Sequence, residues 1–333
     1  MNVLSLFDGM SCGQLALERC GIDVDIYIAS EIDKYTKQIT RKNYPNTIQL
    51  GDVTKVVGED LPKIDLLMGG SPCQGFSFAG KQLNFDDPRS ALFFEFVRLL
   101  EETKPKYFLL ENVRMKQEYQ DVISEHLGVK PIKINSTLVS AQNRVRLYWT
   151  NIPNIEQPED RGIVLKDILE DGVGDRPCEL KEFNKDSTCH HAATATDIKG
   201  NESIKRVYAD SGKSPTITTM GGGHREPKVL CGAWRGRYIK DGKGQDHKGS
   251  VAGKTEQRLE IRQDEKTNSL TTVQKDNNVV TDKFYRKLTP LECERLQTVP
   301  DGYTEGVSNT QRYKMLGNGW TVDVISHILR NIK

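Results

Sequence analysis

The stretch VLSLFDGMSCG, residues 3–13, decides the fold class. Its first half is an apolar run of strand length. Gly9 and Gly13 then bracket short side chains, and the chain continues in a helical pattern. Glycine lets the backbone turn sharply and approach a ligand, and the helix start that follows offers free N–H groups. Two glycines in a strand-to-helix turn can also serve sterics alone, so the turn takes its meaning from its surroundings.

The same alternation recurs down the first half of the chain. Strand-like runs at VLSLF, DIYIAS, TIQL, IDLLM, YFLLE, KIN and RLYWTN are separated by helical patterns over 13–20, 34–43, 91–102 and 115–127. Strands that alternate with helices build a mostly parallel sheet, which predicts an α/β lobe over 1–154. In the third helix Leu92, Phe93, Phe96, Val97 and Leu100 share one face, and Pro105 blocks its continuation. Over 155–283 apolar runs shrink, polar and glycine-rich sequence takes over, and no helix of useful length is predicted. This middle region is expected to form a second, smaller and more irregular lobe. Within it SPTITTMGGG (214–223) and NSLTTVQKDN (268–277) echo each other and predict two similar strand-turn units. Regular structure returns over 284–333. Thr289, with Glu292 three residues on, forms a capping box, and Val322, Ile325, Ile328, Leu329 and Ile332 line one face of a last helix that should return to the first lobe.

Bulk composition narrows the function classes. The chain has 333 residues, 36% of them hydrophobic and 28% charged, enough for at least one large core. It has no long apolar run and no basic n-region at its start, so neither a membrane span nor a secretory signal is expected, and a cytoplasmic protein is. Seven cysteines without a C-x-x-C pair argue against a disulfide framework or a zinc ribbon. Cys189-His190-His191 lacks a second ligand pair at finger-like spacing, so no metal is expected. A net charge of +1 hides an asymmetry: 156–182 is rich in acids, whereas 205–283 carries more basic than acidic side chains and could face phosphates.

The candidate chemistry sits at strand ends. Glu31 ends the second strand and Asp52 follows the third, positions from which a carboxylate can accept hydrogen bonds from a ribose and an adenine amine, or simply cap a helix. In GGSPCQGFS, residues 69–77, Cys73 lies just past the fourth strand, where open α/β sheets place their chemistry. A free thiol has a pKa of about 8.5, so making the thiolate at neutral pH costs roughly 2 kcal/mol. No histidine follows closely to act as its base, which favours attack on an electron-poor carbon activated by other groups. Glu111, at the end of the fifth strand, could bond to a nitrogen of a heteroaromatic ring and make the neighbouring carbon electrophilic. Arg144 and Arg146 alternate along the edge of the last strand, which puts both on one side of it, suited to a phosphate or a carbonyl oxygen.

Taken in order, FDGMSCG, Glu31, Asp52, SPCQGFS, ENV, QNRVR and MLGNGWTVDV resemble, block for block, the DNA (cytosine-5)-methyltransferase family over 2–151 and 286–333. The resemblance implies a Rossmann-like methyltransferase fold with a mixed, mostly parallel seven-stranded sheet. It further implies S-adenosylmethionine as cofactor, double-stranded DNA as partner, and activity as a DNA (cytosine-5)-methyltransferase of bacterial or phage type, expected to be a monomer and sometimes paired with a restriction endonuclease. By that similarity Phe7, Asp8, Gly9, Met10, Glu31, Ile32, Asp52, Val53, Pro72, Leu92, Asn318, Gly319 and Trp320 form the cofactor pocket. Cys73, Glu111, Arg144 and Arg146 carry catalysis, with Cys73 adding to C6 of a flipped-out cytosine. The region 155–283 corresponds in position to a target-recognition domain, where Arg225, Arg235 and Arg237, together with Gln74 and Ser77 nearer the cysteine, are expected to meet DNA. Two positions depart from the usual family pattern: Ser11 stands where glycine is common, and Ser71 where proline is. A tRNA-modifying relative is the nearest alternative, but the Cys-Phe-Thr element typical of that branch is absent. A catalytically silent DNA-binding relative would have no need to keep Cys73, Glu111, Arg144 and Arg146, and a nicotinamide oxidoreductase would leave Pro72-Cys73-Gln74 idle.

Overall fold

The computed structural model describes residues 1–71, 91–170, 176–181, 186–220, 223–231, 233–240, 243–245, 255–260 and 284–332. They pack as two compact units. The first comprises Met1–Ile168, Lys213–Gly222 and Thr289–Lys333, and the second Leu169–Gly212 and Gly223–Leu288. The sequence reading runs the middle region unbroken from 155 to 283, whereas residues 155–168 and 213–222 pack with the first unit.

The first unit is built on a seven-stranded sheet. In chain order its elements are β1 (Asn2–Leu6), α1 (Cys12–Arg19), β2 (Ile26–Ser30), α2 (Lys34–Asn43), β3 (Ile48–Gln49), β4 (Leu66–Gly69), α3 (Ala91–Thr103), β5 (Tyr107–Val113), α4 (Gln117–Leu127), β6 (Ile132–Asn135) and β7 (Val145–Thr150). The strand order is β3-β2-β1-β4-β5-β7-β6. The pairs from β3 to β5 are parallel, and β7 runs antiparallel to both β5 and β6. The sheet is therefore mixed and mostly parallel, as the alternation of strands and helices predicts.

Alternation along each strand sorts the core onto two faces. Leu4, Leu6, Ile28, Leu67, Phe108 and Leu110 join Phe93, Phe96 and Leu99 of α3 and Ile123 and Leu127 of α4 in one cluster. On the other face α1 sits so close to the sheet that a Cβ on Gly13 would meet the Met68 thioether and the Tyr27 hydroxyl at 2.7 to 3.1 Å. Glycine at 13 is thus a matter of space.

Among its described residues the second unit holds α5 (Glu202–Lys205), a single turn, and eight strands: β8 (Arg176–Leu180), β9 (His191–Ala195), β10 (Arg206–Tyr208), β11 (Lys228–Cys231), β12 (Ala233–Lys240), β13 (Lys243–Gln245), β14 (Thr255–Glu260) and β15 (Phe284–Lys287). Five of them close into a small barrel in the order β10-β11-β15-β8-β9, and β13-β12-β14 form a separate sheet. Of the two echoing stretches, 268–277 lie outside the described residues, and 214–220 are coil within the first unit, bridged from Ser214 to Gln142 and tied to Asn143 by the Thr216 hydroxyl.

The chain then re-enters the first unit through α6 (Pro290–Leu296), α7 (Asn309–Asn318) and α8 (Val322–Leu329). Thr289 caps α6 with the reciprocal Thr289–Glu292 box that the sequence predicts. The last helix returns to α1, where the Ser326 hydroxyl donates to the Ala16 carbonyl and Arg19 pairs with Asp323 at 2.7 Å. Between α6 and α7 the fully buried Glu294 gathers the N–H groups of Gly302 and Thr304, the Thr304 hydroxyl and the Arg312 guanidinium onto its two oxygens.

Candidate active site

The C-terminal ends of β1, β2, β4 and β5 open into a cavity of about 380 Å³, lined from the other side by the end of α7 and by Trp320. Phe7, Asp8, Gly9, Glu31, Ile32, Asp52, Val53, Leu92, Asn318, Gly319 and Trp320 all line it, as do Glu111, Arg144 and Arg146. The structure thus brings the residues expected to hold a cofactor and those expected to act on a base into one space. Met10 is the exception: it is buried under Gly319, and its carbonyl accepts from the Tyr303 hydroxyl at 2.7 Å. Pro72, Cys73, Gln74 and Ser77 lie outside the described residues.

At one end of the cavity the turn after β1 is wound tightly. Phe7, Gly9 and Ser11 all take left-handed conformations, with φ of 56°, 61° and 62°. That backbone suits glycine at 9 and costs a residue bearing Cβ on the order of 1–2 kcal/mol. Ser11, where glycine is usual, offsets the cost by donating its hydroxyl to Asp8, whose other oxygen accepts from Tyr27 at 2.7 Å. Burial of Asp8 raises its carboxyl pKa to about 6. Opposite the turn, Glu31 accepts three backbone N–H bonds, from Gly9, Ile32 and Asp33, at 2.7 to 2.8 Å. Its carboxylate is therefore fixed in place at the cavity wall. Asp52 does cap the short turn that follows it, but both Thr54 donors fall on Oδ1. Ile32, exposed at 74%, is the most exposed large apolar side chain among the described residues, and with Val53 and Leu92 it offers the cavity an apolar surface.

At the other end Glu111, on β5, is buried and held on both oxygens. Arg146 Nε pairs with Oε1 at 2.9 Å and the Trp320 indole N–H donates to Oε2 at 3.2 Å. The next residue, Asn112, donates its side-chain amide to the Ser71 hydroxyl at 3.2 Å. A proline at 71 could not accept that bond, so this departure from the family pattern ties the segment leading to Cys73 to the Glu-Asn-Val strand.

Arg144 is placed differently from Arg146. It precedes β7, is almost fully buried, and donates to the carbonyls of Ile217, Gly317 and Gly319 at 2.9 to 3.3 Å. Burial, then the neighbouring charge of Arg146, pushes its pKa down to about 9, so the guanidinium remains charged at neutral pH. It holds the 213–222 segment and the end of α7 together. A Cβ on Gly317 would collide with the Thr218 carbonyl, so that junction is closed to any other residue.

Sequence reasoning passed over α7, which brings Gln311 and Lys314 to the cavity. Burial alone would push the Asp33 carboxyl up, but Lys314 at 2.6 Å and the backbone N–H groups of Tyr35 and Thr36 hold it below its usual range. The spacing of Lys314 in the sequence carries no signal of this partner, 281 residues away. In the second unit Arg225 is exposed, while Arg235 and Arg237 stand on β12 opposite Arg258 and Glu256 of β14. No helix among the described residues is long and apolar enough to cross a membrane.

Comparison with known proteins agrees with this geometry. The chain is 31% identical to the orphan methyltransferase M.SPRI of Bacillus phage SPR, a match that covers 100% of this chain and 97% of that protein. It is 28% identical to the type II methyltransferase M.HhaI of Haemophilus parahaemolyticus, covering 100% and 94%. The fold is similar to that of the Entamoeba histolytica methyltransferase EhMeth, with a TM-score of 0.66 at 16% identity over 100% of this chain and 99% of that one. It is also similar to a Spodoptera frugiperda DNMT2 mutant, with a TM-score of 0.63 at 19% identity, covering 99% and 98%. The family model for C-5 cytosine-specific DNA methylases matches residues 1–333. With Glu31 at one end of its cavity and the Arg146-held Glu111 at the other, the chain is matched from end to end by that model and belongs to the C-5 cytosine-specific DNA methylase family.

Proposed function

We propose that the protein transfers a methyl group from S-adenosylmethionine to C5 of a cytosine flipped out of duplex DNA, by way of a covalent bond between Cys73 and C6. One observation supports this above the others: Glu111, paired with Arg146, lines the same cavity as Glu31 and Asp52, so a base held at one end and a nucleoside at the other would share it. The residues present fit the cofactor. Glu31 is a carboxylate with its plane already fixed by three N–H donors, suited to ribose hydroxyls, and Asp52 keeps Oδ2 clear of Thr54 for an amine. Ile32, Val53 and Leu92 supply apolar contact for a flat ring, and Phe7 and Trp320 supply aromatic faces that attract a cation. When bound, the cofactor supplies an electrophilic methyl group on a sulfonium sulfur.

The chain's own residues then account for the rest. C5 of cytosine is a poor nucleophile within its aromatic ring. Addition of the Cys73 thiolate to C6 forms an S–C6 bond and moves ring electrons toward C5, giving an enamine-like carbon. Glu111 holds N3, sharing a proton with it as the charge develops, while Arg146 binds on the O2 side. After C5 is methylated, loss of the C5 proton and departure of the Cys73 sulfur restore aromaticity and leave 5-methylcytosine. Extrusion of the base from the stack costs about a few kcal/mol, which contacts to the DNA must offset. We assign that contact to the second unit, including Arg225, Arg235 and Arg237, acting as a target-recognition domain of a monomer in the cytoplasm, with or without a companion endonuclease.

A duplex oligonucleotide carrying 5-fluorocytosine at the target, incubated with cofactor, tests the reading. Fluorine cannot leave as a proton does, so a covalent complex resistant to denaturant should accumulate and be absent from Cys73→Ala. Binding without any adduct, or equal incorporation of tritiated methyl into tRNA, would overturn it.

A further inference from the structure

We infer that Trp320 is a positioning residue for the reaction: its indole N–H orients the Glu111 carboxylate against Arg146, in addition to any part its ring plays as a wall of the cofactor cavity. The inference rests on the role proposed above for Glu111.

Three independent features carry it. The first is the bond itself, 3.2 Å from Nε1 to Oε2 with both partners buried. With Arg146 on Oε1 at 2.9 Å, the two donors take one oxygen each and fix the rotation of the carboxylate about its terminal torsion, which is otherwise broad. The second is how firmly Trp320 is held. On one side the Gly319 carbonyl accepts from Arg144 at 2.9 Å and from Gln297 at 3.1 Å, and the Gly319 N–H donates to Met315. On the other, the Thr321 hydroxyl donates to Gln297 at 2.9 Å and accepts from Ser136 at 2.9 Å. An indole anchored at both flanks can impose an orientation on a carboxylate.

The third feature is Gly70, at the end of the strand that leads to Cys73. A Cβ there would lie 2.9 Å from the Trp320 Nε1 and 3.1 Å from the Glu111 Oε2. Its backbone is not in the left-handed region, so glycine is required at 70 by the space the tryptophan–glutamate pair occupies.

The consequence is chemical. With one oxygen held by the indole and the other by Arg146, the carboxylate keeps the rotation from which it can meet N3. Without the indole donor it can turn away, and methyl transfer should slow while cofactor binding is little changed.

The test uses the full-length protein with DNA and S-adenosylmethionine. Trp320→Phe keeps an aromatic ring and deletes the donor. Single-turnover methyl transfer should slow by about tenfold to a hundredfold, the range for a hydrogen bond to a charged group. Cofactor Kd should change less than about threefold. Gly70→Ala should reproduce the loss of rate. A readout without turnover is the indole resonance of Trp320 in protein labelled with 15N-tryptophan, which should shift in Glu111→Gln. A wild-type rate in Trp320→Phe, or an indole resonance unmoved in Glu111→Gln, overturns the inference while leaving the methyl-transfer reading intact. Failure of the wild-type protein to methylate DNA would instead sink that reading.

Discussion

Replacing Arg144 by methionine keeps the aliphatic stem and removes the guanidinium, which isolates what this buried cation does. The change deletes four hydrogen bonds to three carbonyls, at 2.9 to 3.3 Å. Gly319 keeps a donor, since Gln297 Nε2 lies 3.1 Å from its oxygen, whereas Ile217 and Gly317 lose their guanidinium partner. Each bond from a charged donor contributes roughly 1.5–3 kcal/mol. Against this, methionine has no charge to desolvate, and the lowered pKa of Arg144 shows that burial opposes the cation. Breaking a buried charged network by removing one member typically costs about 3–5 kcal/mol, and the released desolvation puts the expectation near the lower end, about 3 kcal/mol. Urea unfolding followed by far-UV circular dichroism reads this as a lower midpoint at an unchanged slope. Arg144→Lys should fall between the two, because a single ammonium cannot span carbonyls that a planar guanidinium reaches at once. Both variants should also bind cofactor more weakly, since Gly317 and Gly319 line the cavity. A methionine variant within about 1 kcal/mol of wild type would show that Arg144 is no clamp, whatever its contacts.

Two further substitutions probe the turn after β1. Ser11→Gly should change stability by less than about 1 kcal/mol, relief of the left-handed backbone offsetting the lost hydroxyl bond, whereas Ser11→Ala keeps the strain and loses the bond, costing about 1–3 kcal/mol; thermal melts of the two variants would separate these outcomes, and equal losses would refute the account. The raised pKa of Asp8, about 6 against an ordinary 3.8, has a defined sign. The folded state binds this proton more tightly than the unfolded chain, so the contribution is fully present at low pH and is lost as pH rises through about 6. Asp8→Asn should therefore flatten the pH dependence of stability in that window, measured as denaturation midpoints in a buffer series, and an unchanged slope would argue against the assignment.

Much of the first unit could be read from local pattern, and the reasons are physical. Its inner strands β1, β2, β4 and β5 are buried on both faces and show up as short apolar runs, α3 advertises its buried face through Phe93, Phe96 and Val97, and the Thr289–Glu292 box is a local capping device. The helix α7 escaped because NTQRYKMLGN buries only Met315, Leu316 and Gly317 and so shows no apolar stripe. Distant partners complete it: Lys314 finds Asp33, and Arg312 finds the buried Glu294. The alternation of Arg144 and Arg146 implied a shared orientation, but β7 begins at Val145, and Arg144, still outside it, turns to carbonyls 73 to 175 residues away. Met10 was assigned by position in its motif, and nothing local signals that it packs beneath Gly319 instead.

The joining of α8 to α1, and of Trp320 to Glu111, has a bearing on biosynthesis. The pocket's first wall emerges from the ribosome with residue 7 and its last with residue 320, so the enclosure cannot be complete until Trp320 has followed. Such long-range closure is slow compared with local helix formation. A nascent chain can raise its sheet early, yet its pocket closes only after the segment bearing Trp320 has been made.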